Sequence, residues 1–165
     1  MKSTCEICIR QCSLDESFCN KRDKNNDIVD KNKINAISVD LLFDKPILFF
    51  TKNIRILSIG SWGCNFRCLG CQNAKLSWAT INNNLSFRLM KPNDIIELAI
   101  NNNCDGIAYT FNEPAIVLDF IEEVAIYAKR AALNNFLITN SLFAIRSNPN
   151  KLVIRLAAPL MPTTL

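Results

Sequence analysis

Hydrophobic and polar positions fall into a regular rhythm only after residue 53 of this chain. "IRILSIG" (54–60) is a short apolar run closing on glycine and predicts a strand. "KPNDIIELAINNN" predicts a helix, with Pro92 in its first turn and Ile95, Ile96, Ala99 and Ile100 on one face. "DGIAYTFNEP" predicts a strand over Gly106–Thr110 that runs into a loop. "AIVLDFIEEVAIYAKRAAL" is the strongest helical pattern, since Ile116, Phe120, Ile121, Val124 and Ala128 recur at helical spacing. "NNFLITNS" predicts a third strand. The order strand, loop, helix, repeated, implies an α/β fold with parallel strands and right-handed crossovers. Chemistry in such sheets gathers in the loops that leave the strand C-termini. The loop after the first strand, "FNEP" and "TNS" occupy those places, and so share one face.

The first third of the chain is less regular. Residues 1–22 hold Cys5, Cys8, Cys12 and Cys19 among polar residues. Residues 20–35, "NKRDKNNDIVDKNKIN", read as a mobile, solvated connector. "AISVDLLFDKPILFF" is mixed, and its Pro46 argues against a central strand. Residues 72–90 look irregular around "TINNNLS". The expected division is a Cys-rich segment and connector over 1–35, a partial (β/α) domain over 36–143, and a divergent tail over 144–165.

Composition narrows the chemistry. The 165 residues suit one domain of ordinary size, 49% apolar and 21% charged. A net charge of +4 is too mild to argue for nucleic acid. Eight cysteines stand beside no histidine, which excludes Ser–His triads, Cys–His nucleophile pairs and His-containing zinc sites. "MKSTCEICIRQCSLDE" has no apolar core of a secretory signal, and no apolar run reaches the length of a membrane span. A cytoplasmic location without membrane partners is expected, where clustered cysteines suggest metal rather than disulfides.

The first strand leads into "SIGSWGCNFRCLGCQN", in which Cys64, Cys68 and Cys71 are spaced C-x3-C-x2-C. Four thiolates would close every iron of a 4Fe-4S cluster; three leave one iron open to an outside ligand. An open coordination position marks a catalytic rather than a structural metal site. This motif after the first strand of a βα repeat resembles the radical SAM superfamily. With "IAYTFNEP" and "FLITN" it is similar to the branch of pyruvate formate-lyase activating enzyme, and within it to the radical SAM member of the AmmeMemoRadiSam group, over residues 46–140.

The resemblance implies the N-terminal half of a partial (β/α)6 TIM-type barrel that binds a 4Fe-4S cluster and S-adenosyl-L-methionine. Cys64, Cys68 and Cys71 would be the metal ligands. Asn112 and Glu113 would contact the amino group of S-adenosylmethionine, where a carboxylate suits an ammonium. Pro114 would hold Glu113 extended in its loop. Asn140 would bond the ribose or the methionine carboxylate. One electron, from a ferredoxin- or flavodoxin-type donor, would cleave the sulfonium to methionine and a 5′-deoxyadenosyl radical. Hydrogen abstraction from an unidentified substrate, a glycyl-radical enzyme among the choices, would follow.

Two departures stand out. The family often has an aromatic residue before the last cysteine, where this chain has Gly70, so adenine packing would fall to Phe66 or to backbone. The tail "AIRSNPNKLVIRLAAPLMPTTL" lacks the expected helix and fourth strand, which suggests a truncated reading of a longer protein with uncertain activity. Cys104 reads as a small core residue, and Trp62 and Trp78 as packing residues. Two other functions compete. One is a zinc module in which Cys5 and Cys8 join Cys68 and Cys71; the other is an electron-transfer iron–sulfur protein using seven of the eight cysteines.

Overall fold

The computed structural model describes residues 4–45 and 53–141, and the backbone of 155–157. Two short strands, β1 (Lys33–Ile34) and β2 (Ala36–Leu41), precede β3 (Arg55–Gly60). After the cysteine loop come α1 (Ala74–Ser77), β4 (Arg88–Leu89) and α2 (Pro92–Asn101). Then follow β5 (Gly106–Tyr109), a 3-10 turn (Pro114–Val117), α3 (Leu118–Arg130), β6 (Asn134–Ile138) and β7 (Arg155–Ala157). The main sheet has the order β2-β3-β5-β6-β7, while β1 and β4 form an antiparallel pair.

β3, β5, β6 and β7 are mutually parallel, as the repeat predicts. Two expectations are corrected. β2 runs antiparallel to β3 from Ala36↔Gly60 to Leu41↔Arg55, so the sheet is mixed. A fourth parallel strand does exist, because Arg155–Ala157 adds to the open ladder of β6. Pro46 lies outside the described residues, as does the tail apart from β7. β2 sits at the sheet edge, in keeping with the argument against a central strand.

Alternation along the strands divides the core into two faces. Leu57 and Ile59 of β3, Ile107 and Tyr109 of β5 and Leu137 of β6 face Ile95, Ile96 and Ala99 of α2 and Phe120, Ile121, Val124 and Ala128 of α3. Ile56, Ala108 and Phe136 lie on the opposite face with Leu42. Burial on both sides is why these strands read as apolar runs rather than alternating ones. Ile100 leaves its expected face and is 52% exposed, while Cys104 joins the core. Pro92 starts α2, and the Asp94 carboxylate accepts from the Lys91 N–H at 2.7 Å, taking one of the donors a helix start leaves over.

The connector over 20–35 is not a free loop. Lys21 and Arg22 are buried, Arg22 pairs with Asp119 at 2.6 Å, and Lys31 pairs with Glu123. Both acidic partners lie on α3, so the connector is strapped across that helix. Among the described residues no helix is long and apolar enough to cross a membrane.

Candidate functional site

Parallel β3, β5 and β6 end at the same sheet edge, and each delivers a loop there. Gly60 closes β3 because nothing larger fits: a Cβ would stand 2.4 Å from the Thr110 carbonyl oxygen. Gly63 turns the chain with φ +87°, and its N–H donates to Leu76 O at 3.1 Å. The loop then folds around the Arg67 guanidinium, whose Nη1 donates to the carbonyls of Cys64 and Phe66 at 3.0 Å each. Cys64, Cys68 and Cys71 are free and half-buried on this one loop. Leu69 beside them is fully exposed, and a Cβ at Gly70 would meet nothing within 4 Å.

The three loops are joined by side-chain hydrogen bonds. Asn112 accepts from the Ser61 N–H at 3.1 Å and donates to Gly63 O at 2.9 Å, clipping the second loop to the first. Glu113 Oε1 accepts from the Ala115 N–H at 2.9 Å and from the Thr139 hydroxyl at 2.6 Å. Its Oε2 accepts from the Asn140 N–H at 2.8 Å. Asn140 Nδ2 in turn donates to Asn65 Oδ1 at 2.8 Å, tying the third loop to the first. Phe111 follows β5 with φ +69°, an uncommon conformation for a bulky residue, and its carbonyl accepts from the Ser77 hydroxyl at 3.0 Å.

Burial pushes the Glu113 carboxyl above the usual range, against the lowering effect of its three hydrogen bonds. Burial also raises the Cys64 thiol, with the nearby Glu113 charge and Cys68 adding to it and hydrogen bonds from the Phe66 and Glu113 backbone opposing. Among the described residues no three Cys, Asp or Glu side chains are gathered around one point as for a single ion.

The structure thus brings Cys64, Asn112, Glu113 and Asn140 to one face, with Cys68 and Cys71 on the same loop as Cys64. It engages the Asn112 amide with protein groups, where a cofactor contact is expected. Asn65, Ser61, Ser77 and Thr139 complete the network, and in the sequence only their adjacency to motif residues hints at it. Phe66 lies under the Arg10 guanidinium, 5.4 Å from the ring centroid. Trp62 is buried beneath Lys21, while Trp78 is 39% exposed and packs less than expected.

The N-terminal cysteines dock beside this face. Arg10 Nε donates to Asn65 O at 2.6 Å, and the Phe18 ring lies between Arg10 at 3.7 Å and Arg67 at 4.7 Å. Burial raises the Cys19 thiol, and Cys5, Cys8 and Cys12 each add to the rise, so the four sulfurs share one electrostatic neighbourhood.

The chain is 34% identical over 145 residues to an uncharacterized protein of Methanocaldococcus jannaschii. The match takes in 84% of this chain and 43% of that protein, so the chain spans less than half the length of its relative. No family model matches the chain.

Proposed function

We propose that the chain is a radical SAM iron–sulfur protein, in which Cys64, Cys68 and Cys71 hold three irons of a 4Fe-4S cluster and S-adenosylmethionine takes the fourth. The observation that carries this reading is the union of three strand-end loops through the side chains of Asn112, Glu113 and Asn140. The donor set fits: three free thiols on one loop, next to a face of the protein rich in hydrogen-bonding groups. When bound, the cluster and S-adenosylmethionine supply one-electron cleavage of the sulfonium and a 5′-deoxyadenosyl radical for hydrogen abstraction. The protein's residues bind and orient.

A carboxylate offers about four acceptor sites. Three of those of Glu113 are used within the protein. The site left on Oε2 suits the ammonium of the amino acid moiety, whose charge would also offset the buried carboxylate. Asn112 and Thr139 act as positioning residues, the first for the cysteine loop and the second for Glu113. Asn140 sets the spacing between Asn65 and Glu113. The mixed sheet is then the opening part of a partial (β/α)6 barrel. A ferredoxin- or flavodoxin-type donor supplies the electron, and no residue of this chain is assigned to the substrate.

The test is anaerobic reconstitution with iron and sulfide, reduction, and addition of S-adenosylmethionine. Formation of 5′-deoxyadenosine that vanishes in Cys64→Ala supports the reading. Stoichiometric zinc on these cysteines without iron-dependent absorption, or a cluster whose spectrum ignores S-adenosylmethionine, refutes it.

A further inference from the structure

We propose that Cys5, Cys8, Cys12 and Cys19 form a second, closed metal site that takes a single structural zinc ion through four thiolates. The site is separate from the cysteine loop and does not depend on the function proposed above.

The backbone gathers these residues. Thr4 and Ser13 form an antiparallel bridge, and the Cys5 N–H donates to Cys12 O at 2.8 Å. Gln11, at φ +44°, lets its N–H reach Cys8 O at 3.2 Å and closes the turn between them. The 3-10 turn Leu14–Glu16 then reverses the chain, and the Asn20 N–H donates to Ser17 O at 3.0 Å in the turn that carries Cys19. All four are free, and Cys5 and Cys8 are buried although the segment is mostly polar. The sulfurs are not drawn around one point. Closing the site on an ion would require the cysteine side chains to rotate about χ1 into other staggered wells.

A second observation points to a buried negative charge in this segment. Six buried side-chain polar atoms among the described residues lack a hydrogen-bond partner, and four of them fall between residues 13 and 22. They are Ser13 Oγ, Lys21 Nζ, and Arg22 Nε and Nη2, all able to donate. Lys21 is fully buried, its ammonium 4.0 Å from the Trp62 ring centroid. Arg22 meets Asp119 and the Asn26 carbonyl through Nη1 alone, and buried donors left without acceptors are costly. Four thiolates around a divalent ion carry a net double negative charge, and such donors are the usual outer partners of ligating groups.

Four thiolates can hold either zinc or a closed iron–sulfur cluster, and zinc is the choice for a site whose role is to fold a small polar segment. Four thiolates with short spacings and no open position are a structural, tetrahedral set. The segment has few apolar side chains, and metal binding would supply the folding free energy that a small core cannot. Through Arg10 and Phe18, that rigid segment would brace the loop carrying Cys64.

The full chain carrying Cys64→Ala, Cys68→Ala and Cys71→Ala removes the other thiol group from the measurement. Purified without added metal and dialysed against a weak chelator, it is expected to retain one zinc per chain. Replacement by cobalt(II) is expected to give the sulfur-to-metal charge-transfer and d–d bands of a tetrahedral all-sulfur site, and adding Cys8→Ser is expected to abolish both. If Cys8→Ser prevents folding, the cobalt spectrum of the first variant decides alone. Absence of zinc and of those bands, zinc undiminished by Cys8→Ser in a folded chain, or iron–sulfide absorption on these four cysteines overturns the proposal. Because the loop thiols are gone, failure here leaves the radical SAM reading untouched, and failure of that reading leaves this site untouched.

Discussion

Replacing Glu113 by glutamine keeps the shape of the side chain and changes what it can accept. The carbonyl oxygen of glutamine can retain the Ala115 N–H and the Thr139 hydroxyl, which share Oε1 in the parent. The amide nitrogen then faces the Asn140 N–H, which the parent bonds at 2.8 Å, and two donors meet. Loss of one charge-assisted hydrogen bond with its donor left buried costs about 1.5–3 kcal/mol. Removing a buried charge returns part of that, since burial holds the Glu113 carboxyl above its usual range. The net expectation is a loss of about 1–2 kcal/mol, or a Tm lower by about 2–8 °C at this chain length. Urea denaturation at neutral pH followed by Trp fluorescence measures the loss. Hydrogen exchange at Asn140 locates it, because that amide loses its acceptor. A Glu113→Gln chain as stable as the parent, with Asn140 equally protected, would show that the carboxylate does not hold the third loop.

Three further outcomes follow from the packing. Gly60→Ala forces a Cβ to within 2.4 Å of the Thr110 carbonyl oxygen, and lowers the urea midpoint by the equivalent of about 1–3 kcal/mol. Tyr109→Phe strips the 2.8 Å hydroxyl donor from buried Asn135 Oδ1 and costs about 1–3 kcal/mol in the same assay. Burial alone would raise the Asp40 pKa, yet hydrogen bonds from Lys45 and Ser38 carry it below the ordinary 3.8. A depressed folded pKa gives stability that is present above 3.8 and lost as pH falls below it, so the advantage of the parent over Asp40→Asn should shrink on acidification in that window.

The parts of the fold legible in the sequence are those whose physics is local or periodic. β3, β5 and β6 are apolar runs because both their faces are covered, and α2 and α3 carry a stripe of helical period. β1 and β4 have two residues each and exist only through pairing with each other, which no local pattern announces. β2 hides as a mixed segment because Asp40 and Ser38 sit within it, satisfied by each other and by Lys45. β7 goes unforeseen because its ladder depends on the open edge of β6. The connector misleads most: charged residues predict solvent, yet Lys21 and Arg22 are buried, and Arg22 and Lys31 pair with Asp119 and Glu123 of α3. At the site, the cysteine spacing and the loop positions can be read directly. The roles of Asn65 and Thr139 cannot, since ordinary turn residues acquire meaning only from partners as distant as Asn140 and Glu113.

The hydrogen bonds that join the strand-end loops also bear on how such a protein diverges. Asn65, Asn112, Glu113, Thr139 and Asn140 have each other or neighbouring loop backbone as partners, so losing one leaves another unsatisfied and weakens selection to keep it. Drift at this edge is therefore expected to be epistatic: lineages keep the set nearly whole or shed it in a cascade, with few stable intermediates between.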